Sequence, residues 1–427
     1  MDDGRRPVSA VTSAGAGVHR VRTTCRACGG RDLHRILDLG LQPLANAFPR
    51  DETEFAGEPR FPLEAWLCRQ CALVQLLDVI HPEVLFRDYI YVTGTSDTIA
   101  AHNAAYARSV VDDLGLAAGD LVVEAASNDG SLLKHFREHG VRTLGVEPAT
   151  NIAAMASAAG IETVTHFFDS AVAREVRSSH GAARAVIANN VLAHVDDPVD
   201  FLAGARELLA PGGRVIVEVP YLRELLDRLE YDTIYHEHLC YFSVGSLLHL
   251  CEAAGLALLR ADRVPVHGGS LRIVAARADE SEPGADVLAW AEEETRHGMR
   301  DPVRWDRFAA DVASHRDALR ELLHSLKRQR WTLAGYGAPT KGNTLLNYCG
   351  IGRELLDYIV DKSPLKIGRF TPGTHLPVLP AETLAERRPD YTLILAWNFA
   401  DEILRQQQAY RDAGGRFILP LPQPRIA

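Results

Sequence analysis

Residues 121–131 read LVVEAASNDGS, and the fold follows from that string. A short apolar run carries an acidic residue, Glu124. A tight polar turn closes at Gly130, and Ser131 opens a helical stretch that reaches His139. A strand feeding a turn beneath a helix N-terminus is how an open α/β sheet presents a nucleotide-type ligand at the carboxyl ends of its strands. The turn is not G-x-G-x-x-G, because Ala125 and Ala126 fill its early positions. A pyrophosphate cradle is therefore disfavoured there.

The pattern repeats outward. Thr143 to Glu147, Ala185 to Ala188 and Arg214 to Val219 read as strands, with a helix from Val199 to Leu209 closed by Pro211-Gly212-Gly213. This alternation over about 100–260 predicts a parallel sheet covered on both faces. Glu147 ends the second strand in GVEP, where a carboxylate can accept both hydroxyls of a ribose, and Asn189 follows the third strand in ANNVLAHV. S-adenosylmethionine (SAM) has a ribose and no phosphate, so an acidic turn with a ribose carboxylate suits it better than a dinucleotide. The expected cofactor residues are Glu124, Ser127, Asn128, Gly130, Glu147 and Asn189.

A charged helical stretch, 285–330, leads to a second α/β unit with WTLAGYG, LLDYIVD and YTLILAWNF as strands and PTKGNTLLNY as a helix start. Its GYGAPTKGNT loop (335–344) has three glycines, Lys341 and free N–H groups, which suit a phosphate or diphosphate. Asp361 lies where an NAD enzyme would hold a ribose hydroxyl, so a nicotinamide oxidoreductase is the competing reading, although the loop lacks the full dinucleotide spacing. VHGGSLR (266–272) adds two glycines and Arg272 between the units. The crevice between them is the expected place for a second ligand.

Ahead of the sheet, Cys25-x-x-Cys28 and Cys68-x-x-Cys71 supply the four thiolates of a tetrahedral zinc site with no open position, hence a structural metal. Pro43, Pro49, Gly57, Pro59 and Pro62 break this segment, which predicts neither a long helix nor a central strand, and little core of its own. The densest polar cluster is Tyr235-His236-Glu237-His238. It is not the H-E-x-x-H of a metalloprotease, since its histidines are two apart, about 200° around a helix, whereas Tyr235 and His238 would share a face. His194, in LAHVDDP near the cofactor edge, could face this cluster, an arrangement that proton abstraction needs. Tyr89 and Tyr91 precede a hydroxyl-rich turn ending at Ser96; an aromatic strand running into a helix cap explains them equally well.

The chain has 46 Lys and Arg against 56 Asp and Glu, a net charge of −10, which opposes binding to nucleic acid or an anionic membrane and so a zinc-ribbon adaptor. No run approaches the ~18 apolar residues of a membrane helix, and the Gly/Ala/Ser-rich N-terminus lacks a signal-peptide core. A cytoplasmic protein with a frayed N-terminal tail is expected.

Together the two C-x-x-C pairs, Y-x-Y-x-x-G-x-S, E-x-x-S-N-D-G, GVEPA, NNVLAHV, YHEHLCYFS, VHGGSLR and GYGAPTKGNTLLNY resemble the three-domain sugar C-methyltransferases of deoxysugar biosynthesis. The resemblance implies an α/β protein with a zinc-binding domain (20–88), a Rossmann-like SAM domain (89–262) and a Rossmann-like C-terminal domain (263–427) that contacts a nucleotide sugar, usually a dTDP-linked 4-keto-6-deoxysugar. It implies His238 as general base, with Tyr235, Glu237, His194 and Tyr89 around the sugar. Gly268, Arg272, Tyr336, Gly337, Lys341 and Asn343 are the matching positions for the nucleotide sugar. Ala126 stands where many relatives have Gly, and His166 precedes Phe167-Phe168-Asp169 where an acidic residue is common.

Overall fold

In a computed structural model of the chain, the structure describes residues 17–87, 89, 92–93, 97–266 and 268–427. Tyr91, Gly94, Ser96 and His267, parts of two strings quoted above, lie outside them.

The N-terminal segment is built of strands β1 (His19–Val21), β2 (Leu33–Pro43), β3 (Arg60–Cys68), β4 (Val74–Leu76) and β5 (Asp78–Ile80). The expectation of no central strand is corrected, because β3 lies between β2 and β4. It survives its proline because β4 pairs only with Ala65 to Leu67, while Pro62 sits opposite Leu41 of β2 where the other side of β3 is unpaired. A missing N–H costs nothing on an open side. The segment's apolar residues do not stand apart from the next unit. Ile36, Leu39, Leu63 and Leu67 are buried in the same apolar cluster as Val123, Val186 and Val217 of the next unit, so the segment packs into a shared interior.

The middle unit holds β6 (Leu121–Ala125), β7 (Arg142–Val146), β8 (Thr163–Val164), β9 (Ala183–Asn189), β10 (Leu209–Pro220), β11 (Cys240–Tyr241), β12 (Leu256–Val264) and β13 (Ser270–Arg277). Seven of these form one sheet in the order β12-β13-β10-β9-β6-β7-β8. Strands β6 to β10 run parallel, and β6 is buried throughout, as the continuous apolar run of a two-sided sheet requires. Two features depart from the expected layout. Strand β13 pairs with both β10 and β12, so the sheet continues past the boundary expected at 262/263. Strand β11 leaves this unit and pairs with β4 as the fourth strand of the N-terminal sheet.

The charged stretch is two helices, Ala285–Arg296 and Pro302–Arg328, separated at Gly298 (φ +82°) and restarted by Asp301 and Pro302. The last unit contains β14 (Leu333–Tyr336), β15 (Ile359–Asp361), β16 (Val378–Pro380), β17 (Tyr391–Ile394), β18 (Arg416–Leu419) and β19 (Arg425–Ile426), ordered β16-β15-β14-β17-β18-β19. In both α/β sheets the first strand of the series, β6 or β14, has its later partners on either side. The chain therefore leaves in opposite directions at that strand, and a ligand crevice opens at its carboxyl end. No described helix is long and apolar enough to cross a membrane.

Candidate active site

Both crevices open into one cavity of about 520 Å³, lined from the N-terminal, middle and C-terminal units. On the middle sheet, Glu124, Ser127, Asn128, Glu147 and Asn189 line it. Gly130 does not: it caps the helix Ser131–Glu138 at φ +75°, where a Cβ would meet the Ile161 side chain at 2.8 Å. Its part is to close the turn. Glu147 Oε2 accepts from the Asn128 N–H (2.9 Å) and Oε1 from the Ala149 N–H (2.8 Å), which ties the first two crossover turns together. Burial raises its pKa above the ordinary carboxylate value, against the pull of these two amides. Burial, then the charges of Asp129 and Glu147, push Glu124 well above the carboxylate range. Glu124 Oε2 and Ser127 Oγ are buried with no hydrogen-bond partner among the described residues. Buried polar atoms are rarely left unpaired, so the cradle fits a polar ligand such as SAM. Ala126 takes a left-handed φ of +55°, a conformation that glycine adopts at less cost.

Tyr235 and His238 also line the cavity. The segment is a turn rather than a helix, closed by the His238 N–H donating to the Tyr235 carbonyl (2.9 Å), and it brings the two side chains to one side. His238 Nδ1 lies 2.9 Å from the Thr233 carbonyl and Nε2 2.7 Å from the Tyr235 hydroxyl. A carbonyl only accepts, so Nδ1 carries the proton and Nε2 keeps its lone pair, receiving the Tyr235 O–H. His194 stands edge-on to His238 at 4.9 Å between ring centroids, and burial pushes it down to about 4, so it is neutral at pH 7. Tyr89 lines the same wall, its backbone held by Asn151.

His236 and Glu237 turn the other way, to the N-terminal sheet. His236 Nε2 donates to the Pro62 carbonyl (3.2 Å), and Glu237 Oε1 accepts from the Asn46 amide (3.1 Å). Glu237 does not line the cavity. Burial raises it from 4.5 to about 7 despite the Asn46 bond. The fold favours the neutral acid while the unfolded chain ionises near 4.5, so this contribution to stability is lost as pH rises from about 4.5 to about 7. Glu237→Gln, which stays neutral, should gain on the wild type by up to about 3 kcal/mol across that window and no further above it. Denaturant melts on either side of the window check this.

The C-terminal wall contains Gly337, Lys341 and Asp361. A Cβ on Gly337 (φ +83°) would lie 2.8 Å from that of Ala396, so only glycine permits this loop. Lys341 Nζ sits 4.1 Å over the Trp397 ring, whose indole N–H donates to Asp232 (2.7 Å). Asp361 Oδ2 accepts from the Ala338 N–H (2.6 Å) and Oδ1 from the Ser363 N–H (2.7 Å). It is engaged in holding its own loop, which weakens the nicotinamide reading.

Four positions expected at the second ligand do not line the cavity. Tyr336 points to the other face of its sheet, accepting from Gln407 (3.2 Å). Asn343 donates to the Ala45 carbonyl (2.7 Å), and Gly268 packs against Glu230. Arg272 donates to Glu218 (2.8 Å) from above the Tyr106 ring. Sequence reading missed His102, Asn103 and Glu218, all on the cavity wall. Burial alone would raise Glu218, but the bond from His102 (2.9 Å) and the charge of Arg272 outweigh it and hold it below the usual range. The available signal was VEVP: Glu218 stands near the end of β10, as Glu124 does on β6.

The sulfurs of Cys25, Cys28, Cys68 and Cys71 lie within 4.8 Å of one another, two pairs of them 3.5 Å apart. Four thiolates at 2.3 Å from a tetrahedral zinc are about 3.8 Å apart, so the donor set fits that ion.

Three family models match the chain in order: "Putative zinc binding domain" over residues 25–86, "Methyltransferase domain" over 99–261 and "C-methyltransferase C-terminal domain" over 265–422. The C-methyltransferase NovU of Streptomyces niveus is 41% identical over 406 residues, 94% of this chain and 96% of NovU. Among solved structures, magnesium protoporphyrin IX methyltransferase ChlM of Synechocystis PCC 6803, with bound SAH, is 17% identical over 42% of this chain and 83% of that one, at a TM-score of 0.34. The CcbJ methyltransferase of Streptomyces caelestis is 17% identical over 41% of this chain and 89% of its own, at a TM-score of 0.32. With its zinc-binding, methyltransferase and C-terminal units all matched and 41% identity over 94% of its length, the chain belongs to the SAM-dependent C-methyltransferase family that includes NovU.

Proposed function

We propose that the protein methylates the carbon next to the C4 ketone, C3 or C5, of a dTDP-linked 4-keto-6-deoxysugar. The observation that carries this reading is His238 on the wall of the cavity, its Nδ1 2.9 Å from the Thr233 carbonyl and its Nε2 2.7 Å from the Tyr235 hydroxyl, between the Glu124 turn and the glycine-lined loop bearing Lys341. A carbon acid must have an adjacent carbonyl before a side chain can deprotonate it, and a C4 ketone acidifies C3 and C5. His238 Nε2 takes that proton, worth roughly 10²–10⁴ in rate. Neutral His194, with Tyr89 or Tyr235, donates to the enolate oxygen, about 3–4 kcal/mol per donor in comparable sites. Bound SAM supplies the methyl group.

Glu147 holds the ribose of the cofactor and the Glu124 turn its polar end, while Lys341 beside the Gly337 loop meets the diphosphate. Nothing in this chemistry calls for zinc at the reacting carbon. Glu147→Ala should weaken SAM binding by about 1–3 kcal/mol, because the ribose hydroxyls lose their acceptor; calorimetry with SAM alone measures it, and an unchanged affinity would remove Glu147 from the cofactor site. Incubation with SAM and a panel of nucleotide 4-ketosugars, followed by NMR location of the new methyl, tests the reaction. Methylation at a heteroatom, or of none of the panel, would overturn it.

A further inference from the structure

The zinc-binding segment reaches the histidine pair by two separate routes, and the second is made of charge. The first is backbone. Leu76 of β4 donates its N–H to the Leu239 carbonyl (3.0 Å), and Leu239 in turn donates to the Ala193 carbonyl (2.7 Å). Gln75 and Val74 pair with Cys240 and Tyr241. The residue after His238 and the residue before His194 thus hang on one strand that leaves the second cysteine pair.

The second route holds the far side of His194. Asp196, two residues on and at the rim of the same cavity, faces three arginines of the N-terminal segment. Arg20 bonds Oδ2, Arg22 lies 3.4 Å from the carboxylate, and Arg26 Nε donates to Oδ1 at 3.1 Å. Arg26 is 4% exposed. It sits between Cys25 and Cys28, and its backbone N–H donates to the Gln75 side chain (3.1 Å) while its guanidinium reaches the Leu76 carbonyl. A guanidinium held by the Gln75 side chain and the Leu76 carbonyl of β4, on a backbone fixed between Cys25 and Cys28, is a fixed post, and Asp196 is the group it fixes.

We propose that Asp196 is a positioning residue: through Arg26 it lets the four-cysteine centre set the place of His194 against His238. This rests on the proposed role of those histidines for its catalytic consequence, and on the geometry alone for its structural one. His194 is then bracketed, by Ala193 on one side and Asp196 on the other. Its edge-on approach to His238 depends on both. A misplacement near 1 Å is enough to cost about 10² in rate.

The test reads the rings directly. In the full chain with zinc bound, Asp196→Asn should move the imidazole resonances of both His194 and His238, assigned with His194→Gln and His238→Asn. Zinc content should stay at one per chain and SAM affinity within about twofold, because the cofactor carboxylates lie on other strands. Arg22→Gln, which leaves Arg26 paired, should move the same resonances by less, and it decides the matter if Asp196→Asn does not fold. Glu64→Gln breaks the exposed Arg35 pair of the same segment (2.7 Å) and should move neither. Ring resonances at their wild-type positions in the folded Asp196 and Arg22 variants, or equal movement in the Glu64 variant, would overturn the proposal. With SAM and dTDP-4-keto-6-deoxyglucose, Asp196→Asn should lower kcat about 10- to 100-fold at unchanged KM for SAM. If the wild type does not turn that sugar over, the substrate reading fails and the resonances alone decide.

Discussion

Replacing His238 by Asn is expected to lower turnover by at least ~10², the share of a lost general base, while SAM and nucleotide sugar still bind. Asn keeps a donor for the Thr233 carbonyl that now faces Nδ1, so the turn has no reason to collapse. What it lacks is a basic nitrogen. The same variant should abolish deuterium uptake at the acidic carbon when substrate is held in D₂O without SAM, because that exchange reports deprotonation alone. His194→Asn and Tyr235→Phe should slow both reactions less completely, each removing a donor to the enolate oxygen and leaving the base. Wild-type exchange in His238→Asn together with loss in His194→Asn would reverse the two roles, with C-methylation still standing.

Cys68→Ser should abolish stoichiometric zinc and lower the melting midpoint of the N-terminal segment by at least about 10 °C, since structural zinc contributes on the order of 10–16 kcal/mol of apparent binding energy to folding and each kcal/mol moves Tm by about 4–8 °C in a domain of 60–100 residues. Cys68 is fully buried and its N–H donates to the Leu73 carbonyl; a serine there puts a hydroxyl where a thiolate closed the metal shell. SAM affinity should stay largely intact, because Glu124 and Glu147 are carried by strands with their own partners. Elemental analysis and calorimetric scans measure the first two effects. A variant that keeps both zinc and its midpoint would remove Cys68 from the metal site.

The middle sheet was legible because its parallel strands are buried on both faces and read as apolar runs ending in polar turns, as in LVVEAASNDG. The N-terminal sheet was not, since its strands are interrupted by prolines whose harmlessness depends on which neighbour stops short. Side-chain direction at a sheet edge was the hardest to read. Tyr336 and Gly337 are consecutive, yet only the second meets the cavity, and the strand alternation that decides this has no mark in so short an apolar run. Lys341 and Asn343 share one loop motif, and the turn of the helix sends them to different units. His102 and Glu218, 116 residues apart, were invisible as a pair because nothing local announces a partner that far along the chain.

The loan of β11 to the N-terminal sheet bears on how relatives of this enzyme could exchange parts. A recombination that replaces residues 17–80 as a block sets a foreign β4 against the resident Cys240 and Tyr241, and a foreign arginine set against the resident Asp196. The inherited piece would have to travel with the loop at 194–196 and the stretch 235–242, which lie far off in the chain. The C-terminal sheet borrows no strand, since its six strands all come from residues 333–426, yet Asn343 is tied to Ala45, and Gly373 and His375 to Glu58. A foreign C-terminal unit would keep its own sheet but would have to match the resident stretch 45–60.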